Sequence, residues 1–209
     1  MIKVLVADNH PIIRIGLKML FESIADINVT GSVTTGIELL DFVERNDVDI
    51  VLTEIDLPEL NGITALRTLK REFSHIKVIV FSSQPEEIYA ISTIKAGASG
   101  YVSKAVSTQT IKDAILKVYH GGIYISEKLA KRLAYDERGN KLGKLYKKLS
   151  IREIEVLKLL SNGKRNKEIA TELNINEKTV STYKARLMRK LNVSNLVDLV
   201  NQARHLDLS

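Results

Sequence analysis

The stretch that decides the fold of the first half of the chain is Val51–Gly62, which reads VLTEIDLPELNG. Its first three residues are apolar or β-branched, as in a buried β-strand, and Pro58 and Gly62 mark a turn before the next helix. The charged residue Glu54 stands where the strand ends. Because binding sites of parallel sheets form at the carboxyl ends of the strands, Glu54 is the first candidate functional residue.

The same pattern of a strand followed by a helix repeats on both sides of this stretch. Apolar runs predict buried strands over Lys3–Ala7, Asn28–Ser32, Asp49–Thr53, Lys77–Ser82 and Gly100–Ser103. Helical spacing predicts helices over Pro11–Ile24, Gly36–Arg45, Gly62–Phe73, Glu86–Ala96 and Thr108–Tyr119. This alternation predicts an α/β fold, a five-stranded doubly wound parallel sheet with helices on both faces. The polar residues at the strand ends would then gather at one rim: Asp8, Asn9, Glu54, Ser82 and Lys104.

The remainder of the chain carries helical patterns and one charged, glycine-bearing segment. Ser126–Tyr135 is predicted to form a short helix, and Asp136–Lys148 a flexible linker. Capping residues predict four further helices: Ile151–Leu160 after the Ser150–Glu153 capping box, Lys167–Leu173 after Asn166, Glu177–Leu191 after Asn176 and Asn195–His205 after Ser194. Four short helices with tight turns are typical of a small helix-turn-helix domain that binds DNA.

The charge is distributed unevenly between the two halves. The 209 residues carry a net charge of +6, and residues 140–209 alone hold 15 Lys and Arg against 7 Asp and Glu. A basic second half indicates binding to a polyanion, with lysines that merely keep the surface soluble as the alternative. The chain has no cysteine, which excludes disulfides and thiolate metal sites. Neither a signal peptide nor a run of ~18 apolar residues is visible, so we expect a cytoplasmic protein that does not enter a membrane.

The rim residues lie in motifs that resemble the receiver domains of two-component response regulators, over residues 1–122. These motifs are Ala7–Pro11 (ADNHP), the Glu54 loop, Ser82-Ser83 and Gly97–Lys104 (GASGYVSK). The resemblance implies that Glu54 occupies the position of the phosphoacceptor. It also implies a set of switch residues, namely the hydroxyl that follows the fourth strand, the rotating aromatic and the lysine that follows the fifth strand: Ser82, Tyr101 and Lys104.

Two positions depart from the receiver pattern. The family carries an aspartate where this chain has Glu54, and usually a second acidic residue where it has Asn9. The resemblance implies a Mg²⁺ ion held by Asp8, Glu54 and the backbone carbonyl of Asp56. An amide oxygen is a weaker ligand for this hard cation than a carboxylate, so we expect Mg²⁺ to bind weakly or not at all. We expect no ordinary phosphorylation either.

The glutamate at position 54 allows more than one interpretation. It is either the natural residue of a phosphorylation-independent regulator or an engineered Asp→Glu change that imitates the phosphorylated state. A third interpretation gives it no switching role: Glu54 and Lys104 would then form a plain buried ion pair.

The helical half resembles the LuxR-type helix-turn-helix domain. The resemblance rests on Leu149–Leu160, Asn166–Ala170 and Asn176–Lys184. The run Lys178–Lys184 with Arg186–Met188 is similar to the BvgA/EvgA branch. A receiver followed by this domain is the arrangement of the NarL/FixJ class of response regulators. The predicted helix Glu177–Leu191 would turn Val180, Leu187 and Leu191 toward the core. It would face DNA with cations and short hydroxyls: Lys178, Thr179, Ser181, Thr182, Lys184 and Arg186.

These features predict a DNA-binding response regulator that controls transcription and is not an enzyme. The domains would be a receiver over 1–122, a linker with a short helix over 123–148 and a helix-turn-helix domain over 149–209. Its partners would be double-stranded DNA, a second copy in a homodimer, a sensor histidine kinase and RNA polymerase. Three residues of the last helix would form either a dimer contact or ordinary core: Leu196, Leu199 and Val200.

Two alternatives belong to other classes of function. One is a phosphatase-like α/β hydrolase that uses Asp8, although this chain lacks the second aspartate that such enzymes carry two residues on. The other is a phosphorylation-independent interaction or dimerisation protein with a degenerate receiver.

Overall fold

The computed structural model of the chain describes residues 1–22, 24–135 and 149–204. The chain forms two compact units, Met1–Tyr135 and Asp136–Ser209. The linker predicted at Asp136–Lys148 lies outside the described residues. Within the described ranges, no helix has both the length and the apolar character to cross a membrane.

A five-stranded parallel sheet in the order β2-β1-β3-β4-β5 forms the centre of the first unit. Its strands are β1 (Ile2–Ala7), β2 (Ile27–Val33), β3 (Ile50–Thr53), β4 (Lys77–Ser82) and β5 (Gly100–Ser103). The predicted α/β fold and its five strands are confirmed, and no strand end differs from the prediction by more than one residue. The chain winds outward in opposite directions from β1 and β3, so their carboxyl ends border the crevice where such folds bind ligands.

Six helices lie between and after the strands in the described part of the first unit. In chain order they are α1 (Pro11–Glu22), α2 (Gly36–Arg45), α3 (Gly62–Glu72), α4 (Glu86–Lys95), α5 (Thr108–Tyr119) and α6 (Glu127–Tyr135). Leu17 and Phe21 of α1 share one buried cluster with Ile115 of α5 and with the strands β1, β3 and β4. Helix α1 ends at Glu22, two residues before the prediction, where the amide of Ile24 donates to Phe21 in a turn.

The chain that follows α5 closes the outer edge of the sheet. The carbonyl of Tyr124 accepts from the amide of Tyr101 at 2.9 Å, and the amide of Tyr124 donates to Ser99 at 3.0 Å. Two residues later, the amide of Ser126 donates to the carboxylate of Glu86 at 2.8 Å. The segment that leads into α6 is therefore fastened to both β5 and α4.

The second unit consists of helices in the part that the structure describes. They are α7 (Ile151–Ser161), α8 (Asn166–Glu172), α9 (Glu177–Leu191) and α10 (Leu196–Arg204). Their shared core includes one fully buried residue from each helix: Leu157, Ile169, Val180 and Leu199. The Leu187 and Leu191 side chains of α9 are also buried, which confirms the predicted inner face of this helix.

Capping differs from the prediction at two of the four helices. The capping box at Ser150 and the cap at Asn176 are present. Asn166 is instead the first residue of α8, and Glu168 accepts from the amide of Arg165 at 2.6 Å. Asn195, and not Ser194, accepts from the amide of Asp198 at 2.9 Å, because the helix begins one residue later than predicted.

Candidate functional site

The sheet brings the predicted rim residues together at the carboxyl ends of β1, β3, β4 and β5. Glu54 directly follows β3, and only 4% of its surface is exposed. Gly62 is needed for this placement, because a Cβ atom there would collide with the backbone carbonyl of Glu54. The turn after the strand therefore packs against the strand end and holds the glutamate inside the rim.

Both oxygens of the Glu54 carboxylate have polar partners. Its Oε1 accepts from the amide of Ile55 at 2.5 Å and from the hydroxyl of Ser82. Its Oε2 lies 2.7 Å from Nζ of Lys104. The predicted phosphoacceptor position thus already contacts both the hydroxyl and the lysine of the predicted switch.

Asp8 shares the same lysine. Nζ of Lys104 lies 2.6 Å from Oδ2 of Asp8, and the side chains of Asp8 and Lys104 are 1% and 9% exposed. The other oxygen, Oδ1, accepts from the amide of His10 at 2.8 Å and lies 2.9 Å from the Nδ1 atom of its ring. One buried ammonium group therefore lies between two buried carboxylates.

This arrangement does not fit a Mg²⁺ ion. Receiver domains generally bind Mg²⁺ for phosphorylation, but here Lys104 fills the space between Asp8 and Glu54. Asn9 is exposed, and the side chain of Asp56 accepts from Gln84. Over the described residues, no group of three or more His, Asp or Glu side chains is placed to hold a metal ion.

Tyr101, the predicted switching aromatic, points inward. It is 0% exposed, and its hydroxyl donates to the backbone carbonyl of Gln84 at 2.7 Å. Burial raises the pKa of this phenol far above its usual range, so the hydroxyl keeps its proton and stays a donor. Gln84 was not singled out from the sequence, where a glutamine in a loop carries no distinctive signal.

The predicted DNA-binding residues lie on α9, away from its buried face. Lys178, Ser181, Thr182 and Arg186 are exposed, whereas Thr179 and Lys184 are half-buried. The exposed side continues beyond the predicted set toward the end of the helix, at Ala185 and Arg189. Helical spacing could have found both, because they lie one and two turns after Ser181 and Thr182 on the same face.

The hydroxyl groups of α9 are partly engaged within the protein. The Oγ atom of Ser181 donates to the carbonyl of Glu177 at 3.0 Å and accepts from Nδ2 of Asn166 at 3.1 Å. The hydroxyl of Thr182 donates to the carbonyl of Lys178 at 2.9 Å. Ser181 therefore joins α8 to α9, whereas the exposed Thr182 keeps lone pairs on its oxygen that can accept a hydrogen bond.

An internal ion pair connects the first and third helices of this unit. Nζ of Lys190, near the end of α9, donates to Oε2 of Glu153 at 2.7 Å. Burial acts to raise the pKa of Glu153, but the hydrogen bonds from Lys190 and Ser150 outweigh it and hold the pKa below its usual value. The pair stabilises the packing that orients α9.

The geometry of both units agrees with comparisons to known proteins. Residues 4–116 match the response regulator receiver domain, and residues 147–203 match the luxR family of bacterial regulatory proteins. The chain belongs to the NarL/FixJ class of response regulators. It is thus a DNA-binding transcription regulator, as predicted, and its relatives are transcription regulators and not enzymes, which counts against a hydrolase that uses Asp8.

Similarity to individual relatives extends over nearly the whole chain. Response regulator UvrY of Escherichia coli K12 is 32% identical over 207 residues, which cover 98% of this chain and 95% of UvrY. BvgA of Bordetella pertussis, a putative positive transcription regulator of virulence factors, is 31% identical over 99% of each chain.

The solved structures show the same similarity. RcsB of Salmonella enterica serovar Typhimurium, bound to the rprA promoter in the presence of phosphomimetic BeF₃⁻, has a TM-score of 0.73. It is 27% identical, and the match covers 98% of this chain and 99% of RcsB. Another structure holds two RcsB dimers on two parallel DNAs, with a TM-score of 0.62, 27% identity and coverage of 97% and 98% of the two chains.

Proposed function

We propose that this chain is a transcription regulator whose receiver is held in its switched arrangement by Glu54, without phosphorylation. One observation carries the proposal. The carboxylate of Glu54 contacts both the hydroxyl of Ser82 and the ammonium of Lys104, the two groups that hold a phosphoryl group in this family. A glutamate has the charge of an aspartate on a side chain one methylene longer, so it reaches toward the position that a phosphoryl oxygen would take.

The proposal gives Ser82 and Tyr101 their roles in this arrangement. The hydroxyl of Ser82 donates to Glu54 and draws the loop after β4 toward the rim. The hydroxyl of Tyr101 then donates to the carbonyl of Gln84 in that loop, and the ring stays buried. A carboxylate supplies less charge than a phosphoryl group, which carries about −1.5 to −2, so the imitation concerns geometry more than charge.

Mg²⁺ binding is weak or absent in this proposal. Lys104 pairs with both Asp8 and Glu54, with Nζ 2.6 and 2.7 Å from the two carboxylates. A divalent ion would have to displace this buried ammonium before it could reach either carboxylate. The side chains of Asp56 and Asn9 are exposed and offer a carboxylate and an amide.

DNA binding is assigned to α9 in this proposal, and a second copy of the chain completes the regulator. The residues proposed to face DNA are Lys178, Thr179, Ser181, Thr182, Lys184 and Arg186. The RcsB complexes, which hold DNA and dimers, support the same architecture here. Leu196 is 40% exposed and is available for a dimer contact, whereas Leu199 is fully buried and belongs to the core.

The remaining assignments follow from family membership. We propose a receiver over 1–122, a linker with a short helix over 123–148 and a DNA-binding domain over 149–209. The chain would act in the cytoplasm and engage RNA polymerase at promoters. A sensor histidine kinase would be a docking partner that transfers no phosphoryl group to position 54.

The test is incubation of the chain with acetyl phosphate and Mg²⁺, followed by an intact mass measurement. We expect no gain of a phosphoryl group, and DNA affinity that is the same with and without the phosphodonor. Glu54→Asp is the matched control and should restore labelling, because it returns the aspartate that the receiver site was built around. Stoichiometric phosphorylation of the unchanged chain would contradict the proposal.

The interaction-protein alternative gives a different result in the same experiment. If the receiver only dimerised or docked a partner, Glu54→Gln would leave DNA affinity unchanged in a gel shift. Under the proposed function, DNA affinity should fall, because a neutral amide at position 54 can no longer form an ion pair with Lys104.

A further inference from the structure

The loop between β4 and α4 contains a glutamine that contacts residues of three neighbouring strand ends. Nε2 of Gln84 donates to Oδ2 of Asp56 at 2.6 Å, in the loop that follows Glu54. Its backbone amide donates to the hydroxyl of Ser82 at 3.2 Å. Its backbone carbonyl accepts from the hydroxyl of Tyr101 at 2.7 Å.

We propose that Gln84 is a positioning residue of the switch, whose side-chain bond to Asp56 holds the β4–α4 loop over the rim and thereby fixes the hydroxyl of Tyr101. This inference rests on the proposed function, because Glu54 holds the start of the same loop through Ser82. A loop fastened only at Ser82 could still rotate about that residue. The second attachment, two residues later, sets where the carbonyl of Gln84 points.

The chemistry of the bond explains why an amide is needed at this position. Asp56 is an exposed carboxylate, and bonds from neutral donors to carboxylates are stronger than bonds between two neutral groups. A carboxylate at position 84 would offer no donor and would place a second negative charge beside Asp56. The side chain of Asp56 lies outside the core, so this bond serves the loop and not the packing of the sheet.

The loop is also connected to the segment that leads into α6. Glu86, two residues after Gln84, begins α4 and accepts from the amide of Ser126 at 2.8 Å. Tyr101 is joined through its own amide to Tyr124, in the same segment. A change in the loop therefore reaches the chain that leads into α6 through two separate contacts.

The experiment uses the full chain labelled with 3-fluorotyrosine. The ¹⁹F signal of Tyr101 is assigned by its loss in Tyr101→Phe, and backbone hydrogen exchange is followed over residues 83–86. Gln84→Glu should shift the Tyr101 signal and accelerate exchange in the loop by roughly three- to tenfold. Gln84→Ala, which removes the bond without adding a charge, should change both in the same direction by less.

Rescue separates positioning from a general effect on folding. The double variant Gln84→Glu with Asp56→Asn restores one donor and one acceptor in reversed order, so the Tyr101 signal and the exchange rates should return toward those of the unchanged chain. The matched control is Gln109→Glu. Nε2 of Gln109 donates to Asp113 at 2.8 Å on α5, and its loss should leave the Tyr101 signal where it was.

Each outcome decides the inference. A Tyr101 signal that does not move in Gln84→Glu would overturn it, as would a folded double variant that recovers nothing. The proposed function fails by a different result, namely phosphorylation of the unchanged chain or unaltered DNA affinity in Glu54→Gln. The Gln84 variants leave Glu54 intact, so the two failures are distinguishable.

Discussion

Charged side chains are buried and paired at the receiver rim but exposed on the outer face of α9. At the rim, Lys104 lies within 2.7 Å of two carboxylates, and all three side chains are at most 9% exposed. On α9, Lys178, Arg186 and Arg189 are exposed to solvent. The rim pairs its lysine with two buried carboxylates, whereas α9 leaves its cations exposed to an external polyanion. Substitutions at the rim should therefore change stability, and substitutions on α9 should change DNA affinity and its salt dependence.

The largest expected effect comes from removal of the internal cation. Lys104→Met leaves Asp8 and Glu54 buried without a counter-charge. Breaking a buried ion pair in this way costs about 3–5 kcal/mol. We expect urea unfolding of the first unit to show a loss of that order, with little effect on the second unit.

A second substitution tests whether charge is the cause. Glu54→Gln combined with Lys104→Met removes one of the two carboxylates that the loss of Lys104 leaves without a counter-charge. The double variant should therefore be more stable than Lys104→Met alone. Added Mg²⁺ should stabilise Lys104→Met more than the unchanged chain, because the space between the carboxylates is then open. A loss below about 1 kcal/mol in the single variant would place this pair among ordinary surface ion pairs.

The next largest effect concerns the cations of α9. Alanine at Lys178, Lys184 and Arg186 together should lower DNA affinity by roughly ten- to a hundredfold at physiological salt and reduce the salt slope by up to about three units. The measurement is a titration of DNA binding at several salt concentrations. Lys158→Ala on α7 is the control and should leave the slope unchanged. An unchanged slope in the triple variant would mean that α9 is not the helix that binds DNA.

The sequence predicted the rim and the outer face of α9 to different extents. At the rim, strand ends and motif spacing predicted that Asp8, Glu54, Ser82 and Lys104 would meet, since parallel strands all end at one edge. The sequence did not predict Gln84, because its role depends on where a loop carbonyl and the exposed Asp56 lie in space. Loop geometry of this kind has no periodicity that a sequence pattern could reveal.

On α9, periodicity predicted the buried side correctly and the outer side incompletely. Val180, Leu187 and Leu191 repeat at helical spacing, which fixes the inner face. Ala185 and Arg189 are exposed at the same helical spacing, but the prediction did not extend the outer face to them. The misplaced cap at Asn166 has a physical reason, because this side chain bonds to Ser181 on the neighbouring helix instead of its own helix start.

A smaller effect is expected for the ion pair between Glu153 and Lys190. The pKa of Glu153 is lowered in the folded state. The ion pair therefore contributes its full stability above the pKa of the unfolded state, and this contribution is lost as the pH falls through the pKa of the folded state. Glu153→Gln should destabilise the second unit by about 1–2 kcal/mol at pH 7. The difference between the two chains should shrink below about pH 4.5, the ordinary value for a glutamate.

Thermal unfolding of both chains between pH 3 and pH 7 checks this prediction. Comparing two chains that differ at one residue removes the contributions of all other carboxylates. Glu168→Gln is a useful control, because this exposed residue caps α8 without a lysine partner in the described contacts. A difference between Glu153→Gln and the unchanged chain that stays constant down to pH 3 would contradict the role of the charge.

The smallest expected effect separates the two hydroxyls of α9. Ser181 already donates to Glu177 and accepts from Asn166, so Ser181→Ala should change DNA affinity by less than about threefold. Thr182 uses its proton within the helix, but this exposed residue keeps lone pairs on its oxygen that can accept a hydrogen bond. Thr182→Val should therefore cost about 1 kcal/mol or more and relax preference at one base pair, where the DNA offers an amino donor.

Binding to a panel of single-base variants distinguishes the two residues. If Ser181→Ala relaxed base preference and Thr182→Val did not, the hydroxyl of Ser181 would have to leave Asn166 when DNA binds, and the rigid contact between α8 and α9 would not survive in the complex.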